Sequence, residues 1–177
     1  MNRTVNWRQR RFAIVGWIGR LGCIVIAIGL PVAVVAVWSV DALLTMIRYG
    51  DGPLPSLPFR VLGGLVSLPP VAIIAWGLLR LSGLFGLLAA GMTLTREGAA
   101  RLQDFAFALL LGLGLNLFAQ AGASMAMTWE RGEGERALSI AFSSDGLLAA
   151  LIGLLLLAVS WLLTEAAELS EDSASIV

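Results

Sequence analysis

The chain contains four long runs without a charged residue. They cover residues 21–40, 61–79, 105–129 and 146–164. An α-helix rises ~1.5 Å per residue, so about 20 residues cross a hydrocarbon core ~30 Å thick. The sequence therefore predicts an all-α integral membrane bundle of four transmembrane helices.

The composition agrees with this class and leaves no room for a separate soluble domain. Of the 177 residues, 58% are hydrophobic and 14% are charged, and the mean hydropathy is +0.87. Soluble domains have ~45–50% apolar and ~25% charged residues. We predict a single domain over residues 1–177. Its expected spans are about 17–40, 61–80 with a helical extension to about 91, 105–128 and 146–164, followed by an acidic tail at 165–177.

Residue usage narrows the chemistry of the chain. There is no histidine, and Cys23 is the only cysteine. Zinc, haem and copper sites need histidine or several cysteines, and Ser/His/Asp or Cys/His nucleophiles need an imidazole. We therefore expect no cofactor, no metal and no enzymatic activity, and we interpret Cys23 as a small buried hydrophobe. A net charge of zero argues neither for nor against nucleic acid, and no direct nucleic-acid binding is predicted.

The distribution of arginine predicts the orientation. The N-terminus, the second connection and the C-terminus together hold Arg3, Arg8, Arg10, Arg11, Arg20, Arg80, Arg96 and Arg101. The other connections hold Arg48, Arg60, Arg131 and Arg136. Positive residues near span ends stay cytoplasmic, so eight arginines against four predict that both termini are cytoplasmic. A basic start before an apolar run is also typical of a secretory signal, but the run at 21–40 exceeds the ~7–15 residues of such a signal, and we interpret it as an uncleaved first span.

Short patterns between the runs predict the connections. Residues 41–60 are dense in glycine and proline, which predicts a loop. Thr95 is expected to cap the third helix, with Glu97 in its first turn, and Asp145 is expected to cap the fourth. Residues 130–136 carry charges of both signs, which predicts a solvated loop. At residues 138–143 large apolar and small residues alternate, which predicts a short β-like segment in the second external loop.

Arg80 leaves two alternatives for the second span. In the first, the span ends at Arg80 and the helix continues along the membrane interface. In the second, the span begins after Pro70 and runs to about residue 90 with Arg80 inside the membrane. An arginine at the bilayer midplane costs at least ~2.5 kcal/mol, which favours the first alternative.

The third run carries the only strongly polar side chains deep inside any run, Asn116 and Gln120. They lie one helical turn apart and form a small polar stripe with Gly112, Ala119 and Ala123. We expect this stripe to face other helices, because close packing and interhelical hydrogen bonds hold membrane bundles together. The expected partners in other spans are Ser67, Ser160 and Trp161. The alternative is a substrate or ion site.

The connection between the second and third spans resembles a known family. Residues 78–110 read LLRLSGLFGLLAAGMTLTREGAARLQDFAFALL. This segment resembles the central signature of DUF2975, uncharacterised bacterial four-span inner-membrane proteins. The positions on the pattern are Gly91, Leu94, Thr95, Glu97 and Leu102. The chain departs from it at Leu94, where an aromatic residue is common, and at Gly98, where Asn is common.

The last span and its acidic tail, residues 140–177, are also similar to DUF2975, so the likeness covers about two thirds of the chain. It implies four spans in the bacterial inner membrane. Members of the family are often encoded beside small helix-turn-helix regulators.

Two functional hypotheses follow. The first is a non-enzymatic, partner-binding or regulatory membrane component that sits in the lipid bilayer. It would bind a cytoplasmic protein, such as a helix-turn-helix regulator, or form a homo-oligomer. Its candidate surfaces are a cytoplasmic turn (Gly91, Thr95 and Glu97) and an acidic tail (Glu165, Glu168, Glu171 and Asp172).

The alternative is a small transporter or channel subunit with a polar site at Asn116 and Gln120. Ion-coupled carriers usually need an acid inside a span, and no run contains one. Glu97 and Asp104 are the nearest approach to a catalytic carboxylate pair. They lie two turns apart on one predicted helix, and we interpret them as surface groups.

Overall fold

The structure is a computed structural model of the chain. It describes residues 3–47, 54–91, 95–130, 138–141 and 143–175, with side chains described for these ranges except at 3–12, 47 and 170–175. The predicted loop at 130–136 therefore lies outside the described residues apart from Glu130.

The described chain forms five helices. They are α1 (Arg3–Ser39), α2 (Asp41–Ile47), α3 (Leu57–Ala89), α4 (Arg96–Thr128) and α5 (Ser144–Ser175). All except the short α2 are long and apolar enough to cross a membrane. No strand occurs in the described ranges. The prediction of an all-α, four-helix membrane bundle is confirmed, and the chain is a multi-pass membrane protein.

The predicted loop at residues 41–60 is wrong at both of its ends. At its start, Asp41 opens the short helix α2, where a carboxylate suits the positive end of the helix. At its end, Pro58 lies in the first turn of α3, a position where proline loses no helical hydrogen bond. Proline therefore marks the start of this helix rather than the loop before it.

Side-chain caps begin two of the long helices. The predicted cap of α4 is confirmed, because the Thr95 hydroxyl accepts a 3.1 Å hydrogen bond from the Gly98 N–H. The predicted cap of α5 is wrong by two residues. The Ser143 hydroxyl accepts a 3.1 Å bond from the Gly146 N–H, and Asp145 lies within the first turn. Ser143 is the better-placed acceptor because it precedes the helix.

The four long helices lie in a row. α1 packs on α3, α3 on α4, and α4 on α5; among the described residues, no close backbone contact joins α1 to α4 or α5, or α3 to α5. Small residues permit the contacts. A Cβ on Gly16 would lie 2.7 Å from the Phe85 carbonyl oxygen, and one on Gly77 would lie 2.5 Å from Ala108. Such close approach is how helices associate in lipid.

Two ion pairs lie at opposite levels of the bundle along α3. At one level Arg60 pairs with Asp41, and at the other Arg80 Nε lies 3.4 Å from Asp104 Oδ2. Both arginines belong to α3, which continues without a break through its two internal prolines to Ala89. Twenty residues at ~1.5 Å each separate the two arginines by ~30 Å.

The end of the bundle near Arg60 contains a small apolar core and a hydrogen bond between α3 and the residues after α4. Trp38, Leu44 and Met127 are buried together, and the Trp38 ring covers Gly63. The Glu130 carboxylate accepts a 2.7 Å hydrogen bond from the Ser56 N–H at the start of α3. Hydrogen bonds from the side chain and the backbone of Ser56 lower the pKa of Glu130. The predicted burial of Cys23 is confirmed elsewhere on α1.

Candidate functional site

Three polar residues follow one side of α4 at intervals of four: Asn116, Gln120 and Ser124. Each step of four residues advances about 40° around a helix with 3.6 residues per turn. The line of these three residues therefore turns away from the face that Gly112 presents to α3. Gly112 is buried against Ile74, whereas Asn116 is exposed.

The prediction of one continuous stripe facing other helices is therefore wrong. Gly112 and Ala119 are buried, while Asn116 lies about 40° further round and outside that contact. The expected partners are also wrong. The hydroxyl of Ser67 donates to the Gly63 carbonyl and that of Ser160 to the Leu157 carbonyl, each within its own helix. Trp161 is exposed.

The polar side chains of α4 instead bind a non-helical segment, residues 138–141. Gln120 Oε1 accepts a 3.1 Å hydrogen bond from the Ala141 N–H, and Ser124 Oγ accepts a 3.0 Å bond from the Ser139 N–H. Backbone N–H groups outside a helix need such partners in apolar surroundings, because an unpaired one is costly. Side chains of α4 therefore replace the backbone bonds that a strand or helix would supply.

The predicted β-like segment is wrong for the described residues. Residues 138–141 belong to no helix, and no strand is present in them. Leu138 and Ile140 are exposed, while Ser139 between them bonds to α4. Phe142, also part of the predicted alternation, lies outside the described residues.

This attachment makes α5 begin well below the end of α4. Gln120, which holds Ala141, lies eight residues before Thr128, the last residue of α4. At ~1.5 Å per residue the chain is attached ~12 Å along the helix from its end. α5 then starts three residues later, at Ser144. A recess is left beside α4 at this level.

The recess contains a cavity of about 240 Å³, which we call the α4–α5 groove. Its lining residues are Leu110, Leu113, Gly114, Asn116, Leu117, Gln120, Ala141, Ser143, Gly146, Leu147 and Ala150. Most of these are apolar. Gln120 already binds Ala141 and Ser143 already binds Gly146, whereas the Asn116 amide makes no hydrogen bond to any described residue. Asn116 is thus the one polar lining residue of the described chain whose side chain makes no hydrogen bond, although the amide N–H₂ group of Gln120 also has no partner among the described residues.

The predicted turn residues lie at the junction of α3 and α4. Gly91 has a φ of +80°, a left-handed conformation that glycine adopts without strain, and it follows the end of α3. Glu97 pairs with Arg101 at 2.6 Å, one turn along α4. Thr95 acts as the helix cap, so the described residues of the turn have structural partners. Leu94, part of the family pattern, lies outside the described residues.

The acidic tail continues α5 as a helix to Ser175. Glu168 Oε1 lies 3.4 Å from Arg96 Nη2, which joins the tail to the start of α4. Glu165 is exposed. The side chains of Glu171 and Asp172 lie outside the described set.

A layer of charged residues, missed as a unit by the sequence analysis, surrounds α3 near residues 80–86. Arg101 covers Gly83 from the side of α4, and Arg20 lies 3.7 Å from the Cβ position of Gly86 on the side of α1. Arg80 bonds Asp104 and lies 5.3 Å from the centre of the Trp76 ring. Glu97 and Asp104 thus pair with arginines rather than with each other. Helix pairing brings Arg20, Arg80 and Arg101 to one level, which no local pattern reveals, whereas the i,i+4 spacing of Glu97 and Arg101 is a local signal.

Comparisons of the chain with protein-family models, with curated proteins and with solved structures found no match. The resemblance to DUF2975 therefore stays a prediction. Among the described residues, no group of three or more His, Cys, Asp or Glu is placed to hold a metal ion.

Proposed function

We propose that this protein is a non-enzymatic component of the bacterial inner membrane that binds a protein partner through the ends of α4 and α5. The observation that carries the proposal is the ion pair between Arg96 and Glu168, which joins the two helices where their sequences become charged. It places Glu168 beside the start of α4, on a helical surface that α5 continues to Ser175, and such a surface is suited to docking.

The position of this surface relative to the membrane is part of the proposal. The ion pairs of Arg60 and Arg80 lie ~30 Å apart along α3, which equals the thickness of a hydrocarbon core. We place the core between these two layers. Residues 81–89 of α3, the first two turns of α4 and the end of α5 then extend beyond it, and the span ends at Arg80.

The arginine distribution and the family resemblance support a cytoplasmic location for these extensions. A soluble cytoplasmic partner, such as a helix-turn-helix regulator, then meets a surface with both charge signs. Glu165 and Glu168 are exposed to it on α5, and Arg96 and Glu97 on α4. Exposed charges of this kind mainly determine specificity and the rate of association.

Affinity purification from native membranes tests the proposal, with a tag at the N-terminus so that the tail stays free. We expect a soluble protein to co-purify, and we expect its recovery to fall with Glu165→Gln combined with Glu168→Gln. Glu130→Gln is the matched control, because it makes the same chemical change at the other end of the bundle. Absence of a partner, or equal loss with the control, would contradict the proposal.

The second candidate function is that of a small transporter or channel subunit, and the α4–α5 groove is the observation that favours it. The apolar walls and the lack of a charged lining residue are poorly suited to an ion path. The amide oxygen of Gln120 already accepts from Ala141, which leaves Asn116 as the polar lining side chain without a hydrogen bond to a described residue. A transport role would therefore concern an uncharged, mostly apolar molecule.

A further inference from the structure

The α4–α5 groove combines three properties. It is a concave cavity of about 240 Å³, its walls are mainly leucine, alanine and glycine, and it holds an amide without a partner among the described residues. A polar side chain exposed to hydrocarbon without a hydrogen bond is costly. The groove is therefore incomplete by itself.

Asn116 lies far from the charged ends of α4, which could otherwise supply a hydrogen-bond partner for its amide. Asn116 lies near the middle of the uncharged part of α4, eleven residues after Phe105 and thirteen before Trp129. The Ser143 hydroxyl lines the same cavity and accepts a hydrogen bond from the Gly146 N–H, and the Gln120 amide oxygen accepts one from the Ala141 N–H. In the structure no described residue bonds the Asn116 amide, which leaves it available to a ligand in the groove.

The size and shape of the groove limit the partner. Pockets for drug-sized molecules measure ~300–1,000 Å³, so this cavity suits one hydrocarbon chain rather than a bulky ring system. Gly114 and Gly146 line the groove without side chains, and no atom lies within 4 Å of the Cβ position of Gly114. A flexible chain can enter from the side.

The rim of the groove limits the polar part of the partner. Ser143, Ser144 and Asp145 are exposed where α5 begins, directly before the lining residue Gly146. A carboxylate at this rim disfavours an anionic headgroup. An uncharged hydroxyl or carbonyl can bond the Asn116 amide, which both donates and accepts.

We propose that the α4–α5 groove binds a neutral, single-chain amphiphile of the bilayer, whose hydroxyl or carbonyl group bonds Asn116 and whose hydrocarbon chain lies between Leu113, Leu117 and Leu147. This site is separate from the proposed protein-docking surface, because Asn116 lies twenty residues along α4 from Arg96. Failure of one proposal therefore does not imply failure of the other.

Photolabelling of the purified full chain in detergent micelles tests this site. The probe is a long-chain fatty alcohol with a diazirine in its chain, and the comparison probes are the matching fatty acid and alkane. We expect the alcohol to label peptides of the groove in preference to the other two. Loss of one membrane hydrogen bond of typical strength in Asn116→Leu should reduce labelling about fivefold.

A second variant tests the cavity rather than the amide. Gly114→Phe should fill the groove and abolish labelling. Gly29→Phe is its control, because Gly29 on α1 also has no atom within 4 Å of its Cβ position. Equal labelling by alkane and alcohol, or unchanged labelling in Asn116→Leu, would overturn the proposal. Dissociation of an oligomer by Asn116→Leu would also overturn it, because the groove would then bind a second copy.

Discussion

Gln120 and Asn116 carry the same amide group one turn apart on α4, yet they have different surroundings. Gln120 accepts a bond from the Ala141 N–H, while Asn116 bonds no described residue. We expect Gln120→Leu to lower the free energy of unfolding by about 1 kcal/mol, because it leaves a backbone N–H unpaired. Denaturant unfolding in lipid-free micelles measures this change, and hydrogen exchange at Ala141 should become faster.

Asn116→Leu is the matched control for this prediction. It removes the same group at a position with no hydrogen bond to lose, so we expect a change within about 0.5 kcal/mol. A larger loss of stability in Asn116→Leu than in Gln120→Leu would show that the structural roles of the two amides are reversed.

Sequence reasoning found the polar residues of this site but not their partners. Asn116 and Gln120 stand out in any reading of the third run, because amides are rare there. Gln120 acts as an acceptor because residues 138–141 pack along α4. No local sequence pattern predicts that these residues, which follow a charged connection, contact α4 at this level. Ser124 was missed because a hydroxyl within a helix usually bonds the preceding turn, as Ser124 also does to Ala121.

α1 packs closely on α3 where Gly16 of α1 lies against the backbone of α3. The Cβ of an alanine at position 16 would lie 2.7 Å from the Phe85 carbonyl oxygen and 2.8 Å from the Ala89 backbone nitrogen. Backbone atoms cannot move aside as side chains do. We therefore expect Gly16→Ala to lower the free energy of unfolding by about 1–3 kcal/mol, in the range of overpacked cores.

Gly22→Ala supplies the control on the same helix. No atom lies within 4 Å of the Cβ position of Gly22, and alanine favours a helix over glycine by up to about 1 kcal/mol. The control should be neutral or slightly stabilising in the same unfolding measurement. Equal destabilisation by both substitutions would mean that α1 does not pack on α3 through Gly16.

The existence of the long helices could be predicted from the sequence, but their ends could be predicted only in part. Uncharged runs reveal apolar spans directly, and Thr95 with Glu97 gives a local start signal that the structure confirms. The loop predicted for residues 41–60 was wrong at its ends because Asp41 and Pro58 start helices within a region rich in glycine and proline. Charged extensions, such as α5 beyond Glu165, are stabilised by contacts that lie on another helix.

At the scale of the whole molecule, the row of four helices leaves broad apolar surfaces exposed. Ile18, Val25 and Val32 on α1 and Leu148, Leu155 and Leu162 on α5 are exposed. In water such a surface would aggregate, whereas in a bilayer it contacts acyl chains. The order of the helices along the row was not predictable, because every span is apolar around its circumference and periodicity does not distinguish a lipid face from a packed one.

We propose that this four-span protein has both termini and the Thr95 turn in the cytoplasm. Single cysteines at Gly134 and at Ser173, each in a Cys23→Ser background, test it with a membrane-impermeant thiol reagent on intact cells. The orientation predicts labelling at position 134 alone, and labelling at both positions after the cells are permeabilised. Labelling at position 173 but not at 134 in intact cells would contradict the orientation and, with it, the proposed cytoplasmic docking surface.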